Sequence, residues 1–179
     1  MSDREVLIGV TGGIAAYKTA ALVSQLVQSG IGVTVAMTSA AEQFVGRATF
    51  AALTGRPVAV SVFDSNAFPL GAHISLAERA HLYCVAPATA DFLSKAAQGA
   101  ADDLVSTLYL SVTSPVLLAP AMNRQMWEAV AVQRNVAQLA EDGVHLVGPD
   151  EGWLSCRKQG FGRMAAPEAI FTAIQRLLN

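Results

Sequence analysis

A doubly wound α/β fold, a parallel sheet between two layers of helices, is what this sequence predicts. Three observations point there. Short apolar runs alternate with stretches of helical periodicity along the whole chain, the pattern of a parallel sheet covered on both faces. Small-residue segments follow several of these runs, where such sheets place their ligand crevice. The length, 179 residues, suits one domain and suffices to bury roughly 70% of the unfolded surface without a disulfide or metal. Residues 1–179 are therefore read as one domain, a flavodoxin-like or Rossmann-like three-layer sandwich.

The elements follow in order. Residues 6–10 are apolar throughout and read as a buried strand. Residues 15–28 carry Ala16, Ala20, Val23 and Val27 at helical spacing, and Gly30 stops that helix. Residues 33–37 form the second strand, and 82–86, 116–119 and 144–147 the next three. Helical stretches fall at 92–98, 102–111 and 129–140. Pro167 opens a last helix to Leu178. His73-Ile74-Ser75-Leu76 reads as a short amphipathic helix, while 57–70 fits no element. The segment 150–163, rich in glycine and charge, reads as a long loop, the kind that serves as a lid in a compact domain.

Composition narrows the function. Charged residues are 15% of the chain and apolar ones 53%, against about 25% charged in typical globular chains. So little charge predicts surface covered by other subunits. A net charge of −2 gives no reason to expect nucleic acid or an anionic membrane as partner. The first residues lack the basic and apolar parts of a signal peptide, and no apolar run approaches a membrane span. The cytoplasm is expected. Cys84, in an apolar run, reads as an inert core thiol. Cys156, among Gly, Arg, Lys and Ser, sits in a cationic setting that favours the thiolate. The two cysteines and three histidines form no metal-ligand spacing, and His81 and His145 read as structural.

Four segments carry candidate chemistry. Thr11-Gly12-Gly13-Ile14 joins the first strand to the first helix, where glycine lets a backbone approach a phosphate. The same turn serves equally as a plain tight turn. The Gly-x-Gly-x-x-Gly spacing of a dinucleotide site is absent. A nucleotide P-loop is excluded too: its second glycine is missing, Tyr17 would obstruct the wrap, and strand 82–86 has no acid for magnesium. Thr38 and Ser39 end the second strand and offer hydroxyl donors to the same ligand, or cap a helix. Thr89, Ala90, Asp91 and Phe92 follow the third, where small side chains leave room for a ring. Pro120-Ala121-Met122-Asn123-Arg124-Gln125-Met126-Trp127 follows the fourth. Asn123 can hold a carboxylate or amide, and Met122 and Met126 can bracket a flat ring. The same run also reads as a helix start with Asn123 as its cap.

The order and spacing of these segments, with His73-Ile74-Ser75-Leu76 and the run from Cys156 to Met164, resemble the flavin-dependent cysteine decarboxylases. The resemblance spans nearly the whole chain and is closest to the phosphopantothenoylcysteine decarboxylases of coenzyme A synthesis. It implies FMN as cofactor, contacted by Gly12, Gly13, Ile14, Thr38, Ser39, Thr89, Ala90, Asp91, Phe92 and Met122. It implies His73, Asn123 and Cys156 as catalytic residues, and Asn123, Met126 and Arg163 as substrate contacts under a clamp at about 150–163. The implied reaction turns 4′-phosphopantothenoylcysteine into 4′-phosphopantetheine: His73 assists proton removal, Asn123 holds the carboxylate, and Cys156 protonates the enethiol left by CO₂. Alternatives within the resemblance are a peptidyl-cysteine decarboxylase that stops at the enethiol and a non-catalytic regulatory flavoprotein subunit. A homotrimer, or a dodecamer built from trimers, and a separate phosphopantothenate-cysteine ligase are the implied partners. Where relatives carry a basic residue, an aromatic and Ala-Asp after this helix, Glu78, Arg79, Ala80 and His81 stand here, so Arg79 would have to replace the basic residue from one position away.

Overall fold

The computed structural model describes residues 4–63, 71–155 and 157–179. At its centre lie five parallel strands: β1 (Glu5–Val10), β2 (Gly32–Met37), β3 (Leu82–Ala88), β4 (Val116–Pro120) and β5 (His145–Leu146), in the spatial order β2-β1-β3-β4-β5. The chain steps outward from β1 to β2, then returns to pair β3 on the other side of β1. This reversal opens a crevice at the carboxyl ends of β1 and β3.

Strand alternation divides the core. Val6, Ile8 and Val10 point to one face, packing with Leu22, Val23 and Leu26 of α1 (Ala16–Gln28) and with Ile170 and Ile174 of α8 (Pro167–Leu178). Leu7, Tyr83 and Val85 point to the other. There they meet Phe92 and Leu93 of α4 (Ala90–Gln98), Val105 and Leu108 of α5 (Leu104–Ser111), and Val132 and Leu139 of α7 (Val130–Glu141). Three more helices complete the set: α2 (Arg47–Thr54), α3 (Ala72–Arg79) and α6 (Arg124–Glu128). Helix starts follow their capping chemistry. The Thr89 side chain accepts from Phe92 N, and Asp103 and Ser106 form a reciprocal capping box at α5.

The sequence reading leaves out α2 and differs from the structure in three further places. The 144–147 strand shrinks to two residues, because Val144 N closes α7 by donating to Leu139 O. The unassigned stretch 57–70 contributes Ala59, which bridges to Ala36 beside β2, and its residues 64–70 lie outside the described ones. The segment expected as a long loop, 150–163, is a two-stranded antiparallel hairpin of β6 (Asp150–Trp153) and β7 (Gln159–Arg163). The buried positions of β7 are Gly160 and Gly162, so its period of two is present but is not written in apolar residues.

Tyr83 tests the packing of the α5 side. Its ring is fully buried, and its hydroxyl donates to Val105 O at 2.8 Å. Burial raises its pKa, with Asp103 adding to the effect, so it stays a neutral donor. Tyr83→Phe removes that bond and is expected to cost about 1–1.5 kcal/mol. Calorimetry should show a fall in Tm of roughly 2–6 °C for a chain of this size.

Candidate functional site

The carboxyl ends of four strands deliver four loops to one cavity of about 930 Å³, within the usual range for a cofactor or small ligand. The loop after β1 supplies Gly12, Gly13 and Ile14, that after β2 Thr38 and Ser39, that after β3 Thr89, Ala90, Asp91 and Phe92, and that after β4 Met122 and Asn123. Met126 of α6 and Arg163 of β7 complete the wall. These thirteen predicted residues all line the one cavity.

Two contacts lock the loops together. Thr11 Oγ1 donates to Pro87 O at 2.6 Å and accepts from Thr89 N at 3.2 Å, tying the β1 loop to the β3 loop. A Cβ on Gly12 would lie 2.4 Å from the Ala40 Cβ, so only glycine lets the β1 and β2 loops meet. Among the described residues, no partner is found for the backbone N–H groups of Gly12, Ile14, Ser39 and Ala40. Four such donors beside the start of α1 make an anion cradle.

Asn123 is the helix cap that one of its two sequence readings expects. Its Oδ1 caps α6 by accepting from Met126 N at 2.9 Å. Its Nδ2 group remains as a donor at the cavity wall.

The hairpin seats directly on this loop. Met122 N donates to Gly162 O at 2.9 Å, and a Cβ on Gly162, which has φ +125°, would lie 2.3 Å from Met122 O. Gly160 leaves space for the Arg124 side-chain stem, whose Cδ would lie 2.7 Å from a Cβ there.

The charged groups in the wall carry further consequences. Lys18 donates to Met164 O at 3.2 Å; burial lowers its pKa, and the nearby Arg163 lowers it further, with Asp150 opposing. Lys95 sits 3.0 Å from Asp91, 3.0 Å from Asp102 and 3.2 Å from Asp103. Burial opposes its charge, but the bonds to Asp102, Asp91 and Asp103 outweigh that and hold its pKa above the ordinary lysine range. The sequence reading does not single out Lys18, Lys95 or Asp103 as site residues. Their signal is spatial, since Lys95 and Asp103 belong to different helices.

His73 does not reach this cavity. It lies in the first turn of α3, partly buried beside Gly71, with its Nδ1 buried and without a partner among the described residues. Cys156 lies outside the described residues. Cys84 is a free thiol, fully buried, its pKa pushed up to about 12 by that burial, as expected for an inert core cysteine. His81 accepts the Glu5 N–H on its Nδ1 at 3.1 Å, a structural role, whereas His145 is exposed on β5. No helix among the described residues is long and apolar enough to cross a membrane.

The sequence and structure of known proteins place this geometry. The coenzyme A biosynthesis bifunctional protein CoaBC of Bacillus subtilis is 45% identical over 170 residues, covering 95% of this chain and 42% of the relative. Its counterpart in Escherichia coli is 44% identical over 170 residues, with the same coverage of 95% and 42%. The chain therefore spans less than half the length of these curated relatives. Among solved structures, the FMN-dependent cysteine decarboxylase SpaF matches with a TM-score of 0.83, at 32% identity over 98% of each chain. A cysteine-to-serine mutant of PPC decarboxylase complexed with pantothenoylaminoethenethiol matches with a TM-score of 0.88, at 26% identity over 97% of each chain. The Flavoprotein family model matches residues 1–179: the chain belongs to the Flavoprotein family.

Proposed function

We propose that the cavity binds FMN and that the protein decarboxylates 4′-phosphopantothenoylcysteine to 4′-phosphopantetheine in the cytoplasm. The observation that carries this is the convergence of the four strand-end loops and Asn123 on one cavity, in a chain similar to CoaBC and PPC decarboxylase.

The residues present fit the cofactor. Unpartnered N–H groups of Gly12, Ile14, Ser39 and Ala40 suit a phosphate, as do the hydroxyls of Thr38 and Ser39. The small residues Ala90 and Ala121 leave room for a ring, with Met122 and Phe92 as apolar walls. FMN, when bound, would supply a reversible two-electron acceptor, the sink that a simple cysteine carboxylate lacks. Asn123 Nδ2 donates to the substrate carboxylate and fixes it against the cavity wall. Met126 packs against the substrate, and the Arg163 guanidinium attracts the anionic substrate. His73 accepts a proton at an imidazole nitrogen. Cys156 Sγ returns a proton after CO₂ leaves.

His73 lies away from the cavity within one chain, so we assign the proton transfer to the His73 of an adjoining copy, in a homotrimer or a dodecamer of trimers. Ile14, Tyr17 and Trp153, all at the cavity and all more than half exposed, are suited to burial against that copy. The CoaBC relatives are bifunctional, so the ligase that makes the substrate is to be sought on the same polypeptide as well as on a separate one.

The test is direct. Protein loaded with FMN should release CO₂ from 4′-phosphopantothenoylcysteine and yield 4′-phosphopantetheine, and light scattering of that sample should show a multiple of three chains. Absence of CO₂ release overturns the substrate; release only from a cysteine-terminated peptide assigns the peptidyl reaction instead. A stable monomer that still turns over removes the shared site.

A further inference from the structure

Lys95 lies one helical turn beyond Asp91 on α4, and its ammonium gathers Asp91, Asp102 and Asp103 at 3.0, 3.0 and 3.2 Å. Three carboxylates around one cation leave an excess of two negative charges. Asp91, Lys95 and Asp103 all line the cavity. The acids are not equivalent. Asp103 is committed to the fold: its Oδ1 accepts from Ser106 N at 2.8 Å to cap α5, while Oδ2 takes Lys95. Asp102 adds a weak contact to Ser106 Oγ at 3.4 Å. Asp91 has Lys95 as its one partner among the described residues, through Oδ2. Its Oδ1 is left over, on a side chain that is 74% exposed at the cavity wall.

We propose that Lys95 is a positioning residue for the cofactor: it anchors Asp91 to the α5 cap and so presents the Asp91 carboxylate as a fixed acceptor for a hydrogen-bond donor of FMN. This rests on the FMN reading above. A carboxylate accepts and does not donate. The donors that oxidised FMN offers are the imide N–H of its ring and its ribityl hydroxyls. Its phosphate and ring carbonyls would be repelled. Asp91 and the Gly12–Ile14 cradle therefore sort the two ends of the cofactor, phosphate to the N–H groups and an N–H or O–H donor to the carboxylate. Without Lys95 the Asp91 side chain would turn freely, and fixing it would then cost binding energy.

The measurement is FMN release on dilution of the loaded protein, followed by flavin fluorescence. Lys95→Met is expected to raise the Kd for FMN by about tenfold or more. Lys95→Arg, which keeps the charge, should stay within about threefold of the parent, and in an Asp91→Asn background Lys95→Met should change the Kd by less than about threefold, since coupled residues are non-additive. That coupling between the two substitutions is a readout which a role in helix packing alone would not produce. Equal losses in the parent and Asp91→Asn backgrounds overturn the proposal. So does parent-like binding by Lys95→Met, or a Lys95→Met protein that cannot fold where Lys95→Arg can. A parent protein that binds no FMN overturns the cofactor reading together with this inference, before any variant is made.

Discussion

Asn123→Asp is expected to keep the fold and the FMN while CO₂ release falls by about a hundredfold or more. The two jobs of Asn123 make this separation possible. As a helix cap it accepts the Met126 N–H on Oδ1 at 2.9 Å, and Asp caps as well as Asn does. A carboxylate at the start of α6 is also on the favourable side of the helix dipole. Stability should therefore change by a few tenths of a kcal/mol at most, within the ordinary range for surface substitutions. The other job is to donate Nδ2–H to a carboxylate. Aspartate has no such donor and adds a like charge. Two unit charges 4 Å apart interact by about 4 kcal/mol at an effective dielectric of 20, close to a thousandfold in rate. Partial opening of the cavity to water lowers that figure, hence the hundredfold expectation. Turnover should be measured beside Tm and flavin content. Parent turnover at full flavin content would place the substrate carboxylate elsewhere.

The fold was legible because its central strands are continuous apolar runs. β1 to β4 are buried on both faces, and such strands leave a signal that survives any ambiguity over helix ends. The cavity was legible for the same reason. Once the strands are parallel, the residues after each one must gather at a common edge, so Gly12, Thr38, Thr89 and Asn123 meet without any knowledge of side-chain contacts. Two features were hidden. The strand β7 of the hairpin carries its inward positions on Gly160 and Gly162, which bear no apolar side chain, and glycine reads as loop. Lys95 and Asp103 meet through the reach of a lysine side chain between helices, which no local period records. His73 is the intermediate case. Its residue type and its helix were readable, but its position away from the single-chain cavity is a property of tertiary structure. α2 was missed because Phe50 is the one fully buried side chain in its eight residues, too little for a periodic stripe.

Gly162→Ala is expected to lower turnover more than tenfold while leaving the central sheet folded. Gly162 has φ +125°, in a region that costs a non-glycine residue about 1–3 kcal/mol. Its added Cβ would also lie 2.3 Å from Met122 O and 3.3 Å from the Asn123 carbonyl carbon. These neighbours are backbone, so no rotamer change relieves the clash, and the hairpin must lift from the Met122–Asn123 loop. That movement breaks the bond of 2.9 Å from Met122 N to Gly162 O and carries Arg163 away from the cavity. The hairpin is a separate two-stranded sheet, so the five-stranded core need not follow. Gly30→Ala is the matched control. Gly30 has φ +82° with nothing within 4 Å of an added Cβ, so it takes the strain without a clash and far from the site. It should cost about 1 kcal/mol of stability at parent turnover. Hydrogen exchange should quicken at the Met122 amide and across residues 150–163 in Gly162→Ala alone. Parent exchange and turnover in that variant would show that the hairpin's seat on the Asn123 loop does not govern the site.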